Sequence, residues 1–128
     1  MRSLFFASAI LLVLIESKIQ TVWVTGVTVC NKKPARADID IKERDWFGPD
    51  DTLASTESSK DGKFSVMGRK NEFFTLDPYL VITHTCNVKK KGCKRISEYQ
   101  VPKEMVGRHY KMSYVSLDIM TSNDKEKC

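Results

Sequence analysis

Apolar and polar residues alternate with a period of two along much of the chain. The alternation is clear in residues 37–42, 63–67 and 79–86. Successive side chains of a strand point to opposite faces, so this pattern predicts strands with one buried face. Short clusters rich in Pro, Gly, Asn and Asp separate these segments at regular intervals. The chain is therefore predicted to form an all-β sandwich of about seven strands.

We place these strands at about residues 22–30, 37–45, 52–57, 63–67, 79–86, 94–101 and 110–120. In the last strand the apolar positions change parity, from Tyr110, Met112 and Tyr114 to Val115, Leu117 and Ile119. Such a change predicts a β-bulge near Ser113. Residues 103–108 are predicted to form a short helical turn.

The N-terminus has the pattern of a secretory signal peptide. Arg2 precedes an apolar run of twelve residues, Leu4 to Ile15, and Glu16-Ser17 then turns polar. As a helix this run spans roughly 18 Å, well short of the roughly 30 Å bilayer core, so a transmembrane anchor is not expected. We predict a signal peptide at 1–17, a secreted extracellular domain at 18–120, and a tail at 121–128 that is mobile unless Cys128 holds it.

Export changes how the four cysteines are interpreted. In a small exported chain, Cys30, Cys86, Cys93 and Cys128 favour two disulfides over metal ligation. The spacing of Cys86 and Cys93 does not suit a zinc knuckle, and we expect neither metal nor cofactor. Alternating strand directions bring all four cysteines to one pole of the sandwich, so the residues alone leave three pairings open.

The formal charge of +5 and the pI near 9.0 suit an acidic partner: a protein, an anionic lipid or a glycan. Alternating strand directions also gather basic residues at that same pole, namely Lys32, Lys33, Lys89, Lys90, Lys91, Lys94 and Arg95. They form either solvated hairpin tips or a basic binding surface. Secretion and the lack of interleaved aromatic residues argue against nucleic acid. We expect a monomer.

Other residues that could act in catalysis or binding also have ordinary structural interpretations. His84 lies on the apolar face of its strand, two positions before Cys86, and is expected to be a hydrogen-bonded core residue. Trp46 and Phe47 precede Gly48-Pro49; they suit the core and an exposed interface equally well.

Several motifs resemble the nematode transthyretin-like family. They are Gly26–Ala35, Gly48–Asp51, Asp61–Phe64, Asp77–Cys86, Cys93–Arg95 and Val101–Lys103. The resemblance implies a prealbumin-like sandwich with Greek-key type connections, secretion, and binding rather than catalysis. Many members carry only the counterparts of Cys30 and Cys86, which implies Cys30–Cys86 and Cys93–Cys128 pairing here. The Gly48–Asp51 loop is one residue shorter than is usual in the family, and Lys89–Lys91 is more basic.

A small hydrolase is the main alternative, because hydroxyisourate hydrolases use the same sandwich. Those enzymes need a histidine-rich site and a Tyr-Arg-Gly-Ser C-terminus, whereas this chain has two histidines and ends in Asp-Lys-Glu-Lys-Cys. No serine with paired His and Asp stands out. A carrier of small hydrophobic ligands is a further alternative. We predict a non-enzymatic binding or signalling module.

Overall fold

The computed structural model describes residues 17–128, which form two β-sheets around one apolar core. This part of the chain has nine strands: β1 (Lys18–Cys30), β2 (Lys33–Pro34), β3 (Asp38–Glu43), β4 (Asp51–Glu57), β5 (Lys63–Glu72), β6 (Pro78–His84), β7 (Lys94–Gln100), β8 (His109–Ser116) and β9 (Lys125–Lys127). One sheet holds β2, β1, β5 and β8. The other has the order β4-β3-β6-β7-β9. The predicted all-β sandwich is confirmed, with two short strands, β2 and β9, in addition to the predicted seven.

The chain passes back and forth between the sheets, as Greek-key type connections require. β1 runs antiparallel to β5 and parallel to β8, while β3, β6 and β7 form an antiparallel series. Successive long strands therefore alternate in direction, and the sandwich has two distinct poles. The signal-peptide prediction falls almost wholly on residues 1–16, which lie outside the described residues.

The core comes from the inward positions of the alternating segments. Ile39 and Ile41 of β3 face Leu80 and Ile82 of β6, and all four side chains are fully buried. The opposite sheet contributes the side chains Val22, Val24, Phe64, Val66 and Val115, and Leu117 adds to the core directly after β8. Burying one such side chain stabilises the fold by about 1.5–3 kcal/mol, so the period-two pattern is the main source of stability.

The predicted bulge is present where the parity of β8 changes. The β1–β8 register shifts between Thr25 and Val27, and Ser113 adopts a left-handed φ of 61°. This extra residue lets Tyr110 and Met112 pack against the core before the bulge and Val115 after it.

Several strands begin or end at residues other than those predicted, because strand pairing sets their bounds. β1 and β5 extend to the pair Lys18↔Glu72, well beyond the alternating segments. They do so because the backbone of each strand provides the hydrogen-bonding partners of the other. β8 ends at Ser116 rather than near 120, because its partner β1 ends at Cys30 and the chain then turns, with the Ile119 N–H donating to the carbonyl of Ser116 at 3.2 Å. The predicted helical turn is a 3₁₀ turn at Lys103–Met105. In residues 17–128, no helix is long and apolar enough to cross a bilayer.

Glu43 is a buried acid that the apolar pattern did not single out. Its Oε1 accepts a hydrogen bond of 2.7 Å from Lys70 Nζ, which also contacts Asp51 and Glu72. Hydrogen bonds to Asp51 and Glu43 raise the pKa of Lys70 further above its usual value. This cluster joins β3, β4 and β5 and thereby holds the two sheets together at one pole.

Candidate binding surface at the basic pole

One pole of the sandwich is formed by residues 31–34, 85–94 and 117–128, which we call the basic pole. Two disulfides lie here: Cys30–Cys86 joins the end of β1 to the segment after β6, and Cys93–Cys128 joins the start of β7 to the C-terminus. The expectation of two disulfides is confirmed, and the pairs are those that the family resemblance implies. The tail at 121–128 is thus held down and contributes β9.

Hydrogen bonds between the loops reinforce the bridges. Asn31 and Lys32 have left-handed φ values of 50° and 70° and form the two-residue turn between β1 and β2. The Asn31 N–H donates to Asp118 Oδ1 at 3.0 Å, and the Asn31 side-chain amide pairs with that of Asn87. The Lys89 N–H donates to Glu126 Oε1 at 3.1 Å. The first turn, the β6–β7 loop and the tail therefore form one connected surface.

The lysines predicted for this pole are exposed there, namely Lys32, Lys33, Lys89, Lys90, Lys91 and Lys94. None of them makes a salt bridge within residues 17–128. Pairing of β9 with β7 adds Lys127 opposite Lys94, and Lys125 opposite Ile96. These two lysines were not predicted for the pole, because nothing in the pattern of the polar tail indicates a strand. The result is a cluster of exposed positive charges on loops and strand ends beside the two disulfides.

Arg95 does not belong to this surface, contrary to the prediction. It is only 3% exposed, because β7 directs it inward and the tail covers it. Its Nε and Nη2 donate to Asp124 Oδ2 at 2.9 and 2.6 Å, and its Nη1 donates to the carbonyl of Cys86 at 2.7 Å. A buried guanidinium needs such partners, since an unpaired buried charge is strongly destabilising.

His84 is a hydrogen-bonded core residue, as the sequence analysis expected. Its Nδ1 accepts the N–H of Cys86 at 3.1 Å, so its Nε2 carries the proton and donates to Ser97 Oγ at 3.0 Å. The Ser97 hydroxyl in turn donates to Asp124 Oδ1. Together with Arg95 these groups close a ring of hydrogen bonds that begins and ends at the backbone of Cys86.

The ring shifts the pKa of its members. Burial, followed by the charge of Arg95, lowers the pKa of His84 to about 4, so the imidazole is neutral at physiological pH. Burial would raise the pKa of Asp124, but the hydrogen bonds from Ser97 and Arg95 outweigh it and hold that pKa below its usual value. The tail thus places a carboxylate anion against the buried Arg95.

The fold also groups a Ser, a His and an Asp, namely Ser97, His84 and Asp124, which was not predicted from the sequence. These three residues lie on β7, on β6 and in the tail, so no sequence spacing indicates the grouping. The connectivity is not that of a nucleophilic triad, in which the acid orients the His and the His activates the Ser. Here the acid binds the Ser, the His ring is held by a backbone N–H, and Ser97 is fully buried.

The model of the Transthyretin-like family matches residues 25–102. The chain belongs to the transthyretin-like family. It is 44% identical to Transthyretin-like protein 16 of Caenorhabditis elegans over 113 residues, which cover 88% of this chain and 86% of that protein. It is 36% identical to Transthyretin-like protein 33 of the same organism, with 68% of this chain and 62% of that protein covered.

A solved structure shares the fold with this transthyretin-like chain. It is a 9R-lipoxygenase from Cyanothece, with a TM-score of 0.52 and 16% identity over 77% of this chain but only 17% of the lipoxygenase. At that identity the likeness concerns the fold alone. The span matched by the family model contains the β1–β2 turn and the β6–β7 loop, including Cys86 and Lys89–Lys91. Asp124 and Cys128 lie beyond it.

Trp46 and Phe47, the remaining candidate binding residues, lie at the opposite pole of the transthyretin-like domain. They follow β3, whose last residue Glu43 pairs with Pro78 at the start of β6. Their side chains are 91% and 98% exposed, so the interpretation as core residues is wrong. Asp45 Oδ1 accepts the N–H of Phe47 and shapes this loop. The structure therefore does not combine this aromatic pair with the lysines into one site.

Proposed function

We propose that this chain is a secreted, non-catalytic binding module that engages an acidic protein partner through the basic pole. The observation that carries the proposal is the set of six exposed lysines on loops and strand ends that two disulfides hold. Fixed loops lose little conformational freedom on binding, so the positive charges act in a defined arrangement.

Secretion is supported by two independent features. The first 17 residues have the pattern of a signal peptide, and two structural disulfides are typical of proteins in oxidising compartments. A non-catalytic role is supported by the buried Ser97 and by the order of hydrogen bonds around His84. The relatives found here are named transthyretin-like proteins, without a stated activity.

A protein partner suits the apolar side chains beside the lysines. Ile119 and Met120 are exposed at this pole, and interfaces combine such apolar contacts with a charged rim. Anionic vesicles and sulfated glycans are the competing ligands, and the experiment must separate them from an acidic polypeptide.

The test compares two triple variants of equal net charge. Lys89→Ser, Lys90→Ser and Lys91→Ser change the basic pole, while Lys18→Ser, Lys103→Ser and Lys111→Ser change exposed lysines elsewhere. The probe is polyglutamate, with phosphatidylglycerol vesicles and heparin assayed in parallel. If each lysine contributes about 0.5 kcal/mol, the first variant should bind polyglutamate about tenfold more weakly.

Added salt should reproduce that loss in the unaltered protein, because exposed charges are screened beyond about 8 Å at physiological ionic strength. Equal polyglutamate binding by the two triple variants would show that the lysines at the basic pole are solvated hairpin tips without a binding role. Binding to vesicles or heparin without binding to polyglutamate would contradict the assignment of a protein partner.

A further inference from the structure

The C-terminal tail occupies a position that resembles that of a bound peptide. β9 adds to the edge of β7 as an antiparallel strand, with Lys94↔Lys127, Arg95↔Glu126 and Ile96↔Lys125 as partners. β7 uses its other edge to pair with β6. Addition of an extended segment to an exposed sheet edge is a common mode of peptide recognition, in which main-chain bonds supply affinity and side-chain pockets supply specificity.

The side-chain pocket under this strand is built for a carboxylate. Asp124 inserts a side chain that is only 2% exposed, next to Arg95 at 4%. Three hydrogen bonds reach the carboxylate from Arg95 and Ser97, and a fourth of 3.3 Å comes from Thr121. His84 fixes the Ser97 hydroxyl, because it donates to Ser97 Oγ and leaves the Ser97 proton for the acid. The receptor side of this pocket, without the tail, consists of Arg95, Ser97 and His84.

The tail fits this groove incompletely. A cavity of about 260 Å³ remains between the tail and the body of the sandwich, lined by Asn87 and Lys89 of the β6–β7 loop and by Arg95 of β7. All three residues of β9 are exposed, and the last of them precedes Cys128, whose bridge to Cys93 fixes the end of the segment. The tail is thus held by three residue pairs of the β7–β9 ladder, by one buried carboxylate and by one disulfide.

We propose that the β7 edge with Arg95 and Ser97 is a binding site for an extended peptide that carries an aspartate, and that residues 121–128 are its built-in occupant. A partner strand would pair with Lys94–Ile96 and place an Asp side chain against Arg95. The inference rests on the proposed function only in that the partner presents a carboxylate and approaches the basic pole. The exposed lysines would attract the partner, while Arg95 would select a carboxylate at one register position.

The Cys93–Cys128 bridge controls access to this site. An external dithiol reduces the bridge: its two thiols are oxidised to a disulfide, and Cys93 and Cys128 each become a thiol. The tail is then tethered at one end only, and a peptide can compete with it. A tethered segment acts at an effective concentration near the millimolar range, so displacement requires either a strong peptide or a weakened tail.

The first experiment uses the full chain and a fluorescent peptide with the sequence of residues 120–127. Three proteins form a series: the oxidised wild type, the Cys93→Ser/Cys128→Ser variant, and that variant with Asp124→Asn added. Fluorescence anisotropy should show no binding to the first, measurable binding to the second and the tightest binding to the third. A matched peptide with Asn in place of its Asp should bind about tenfold more weakly or worse, because it lacks the charge-assisted bonds to Arg95.

Equal anisotropy across the three proteins, or equal binding of the two peptides, would overturn the proposal. A dimer of the opened variant in light scattering, in place of peptide binding, would identify a second copy of the tail as the occupant and would also overturn it. Unaltered protection of β3 and β6 amides in hydrogen exchange serves as the check that the opened variants are folded.

A second experiment keeps both disulfides. Asp124→Ala leaves a hole beside Arg95, and added acetate should raise the melting temperature of this variant above the effect of equimolar chloride. The control is Glu126→Ala, which removes an exposed carboxylate of the same tail and should gain nothing from acetate. Equal effects of acetate and chloride on Asp124→Ala would contradict a carboxylate site.

The two proposals can fail separately. Suppose that the Lys89–Lys91 variant loses polyglutamate binding but the opened variants bind no peptide. The proposed function of the basic pole would then stand, and the peptide site at the β7 edge would be refuted. Conversely, the opened variants could bind the peptide in a manner that depends on its Asp, while the two triple lysine variants bind polyglutamate equally. The peptide site would then stand, and the proposed function of the basic pole would be refuted.

Discussion

Removal of the Cys30–Cys86 bridge should destabilise the domain far more than removal of the Cys93–Cys128 bridge. The bridges span 56 and 35 residues. Loop entropy in the unfolded chain assigns about 4 kcal/mol to each of these lengths, so chain entropy alone predicts almost equal losses. The difference must come from what each bridge holds in the folded state.

The Cys30–Cys86 bridge joins β1 of one sheet to the segment directly after β6 of the other. Cys86 is buried, and its backbone N–H and C=O are both part of the ring that contains His84 and Arg95. Neither end of this bridge can separate without unpacking a sheet, so the full loop-entropy term of about 4 kcal/mol should be lost. For a domain of this size that loss lowers the melting temperature by about 16 °C.

The Cys93–Cys128 bridge, in contrast, holds a three-residue strand. Without the bridge the tail can detach locally, and the loss is then limited to the free energy of docking the tail, which is smaller than the free energy of global unfolding. The variants to compare are Cys30→Ser/Cys86→Ser and Cys93→Ser/Cys128→Ser, which leave no free thiol. Each pair contains one buried cysteine, so the cost of a buried hydroxyl is matched.

Urea denaturation followed by far-UV circular dichroism measures both free energies of unfolding, and hydrogen exchange locates the regions that open. The second variant should lose protection at the β7–β9 pairs while β3 and β6 stay protected. Equal losses of stability in the two variants, or global loss of protection in the second, would refute the argument that the tail is a separable unit.

Two other measurements test the packing. Because folding lowers the pKa of His84 to about 4 from its usual 6.5, the unfolded chain binds a proton in this window that the folded chain does not. Stability should therefore fall from pH 6.5 to pH 4 with a slope of up to about 1.4 kcal/mol per pH unit, and His84→Gln should flatten that slope in urea titrations; an unchanged slope would show that another group is responsible. At Gly62, where φ is +77° and an added Cβ would lie 2.3 Å from the Thr28 carbonyl oxygen, Ala should cost more than about 2 kcal/mol. Ala at Gly48, which has open space around it, should change stability by less than about 0.5 kcal/mol in the same denaturation assay, and similar losses at both glycines would contradict the steric explanation.

Local pattern was sufficient for the features that depend on one strand and its neighbours along the chain. The alternation around Ile39 and Ile82 predicted buried faces, and the parity change in the last strand predicted the bulge at Ser113. Alternating strand directions were enough to bring Lys32 and Lys89 to the same pole. The family resemblance, rather than the spacing of the cysteines, distinguished among the three possible pairings.

Features that join distant segments could not be predicted in this way. The side chain of Arg95 is charged and would be exposed on an edge strand; it is buried because the tail, almost thirty residues later in the chain, adds a strand and supplies Asp124. Trp46 and Phe47 gave no local indication of whether they were buried, since the burial of a loop depends on which segments pack over it. The sequence by itself thus determined the seven longer strands, the apolar core and the pole where the lysines lie, because a period-two pattern acts locally through burial. Only the tertiary structure decided which charge is buried and which acid neutralises it, because a buried ion pair forms where long-range contacts exclude water from both partners.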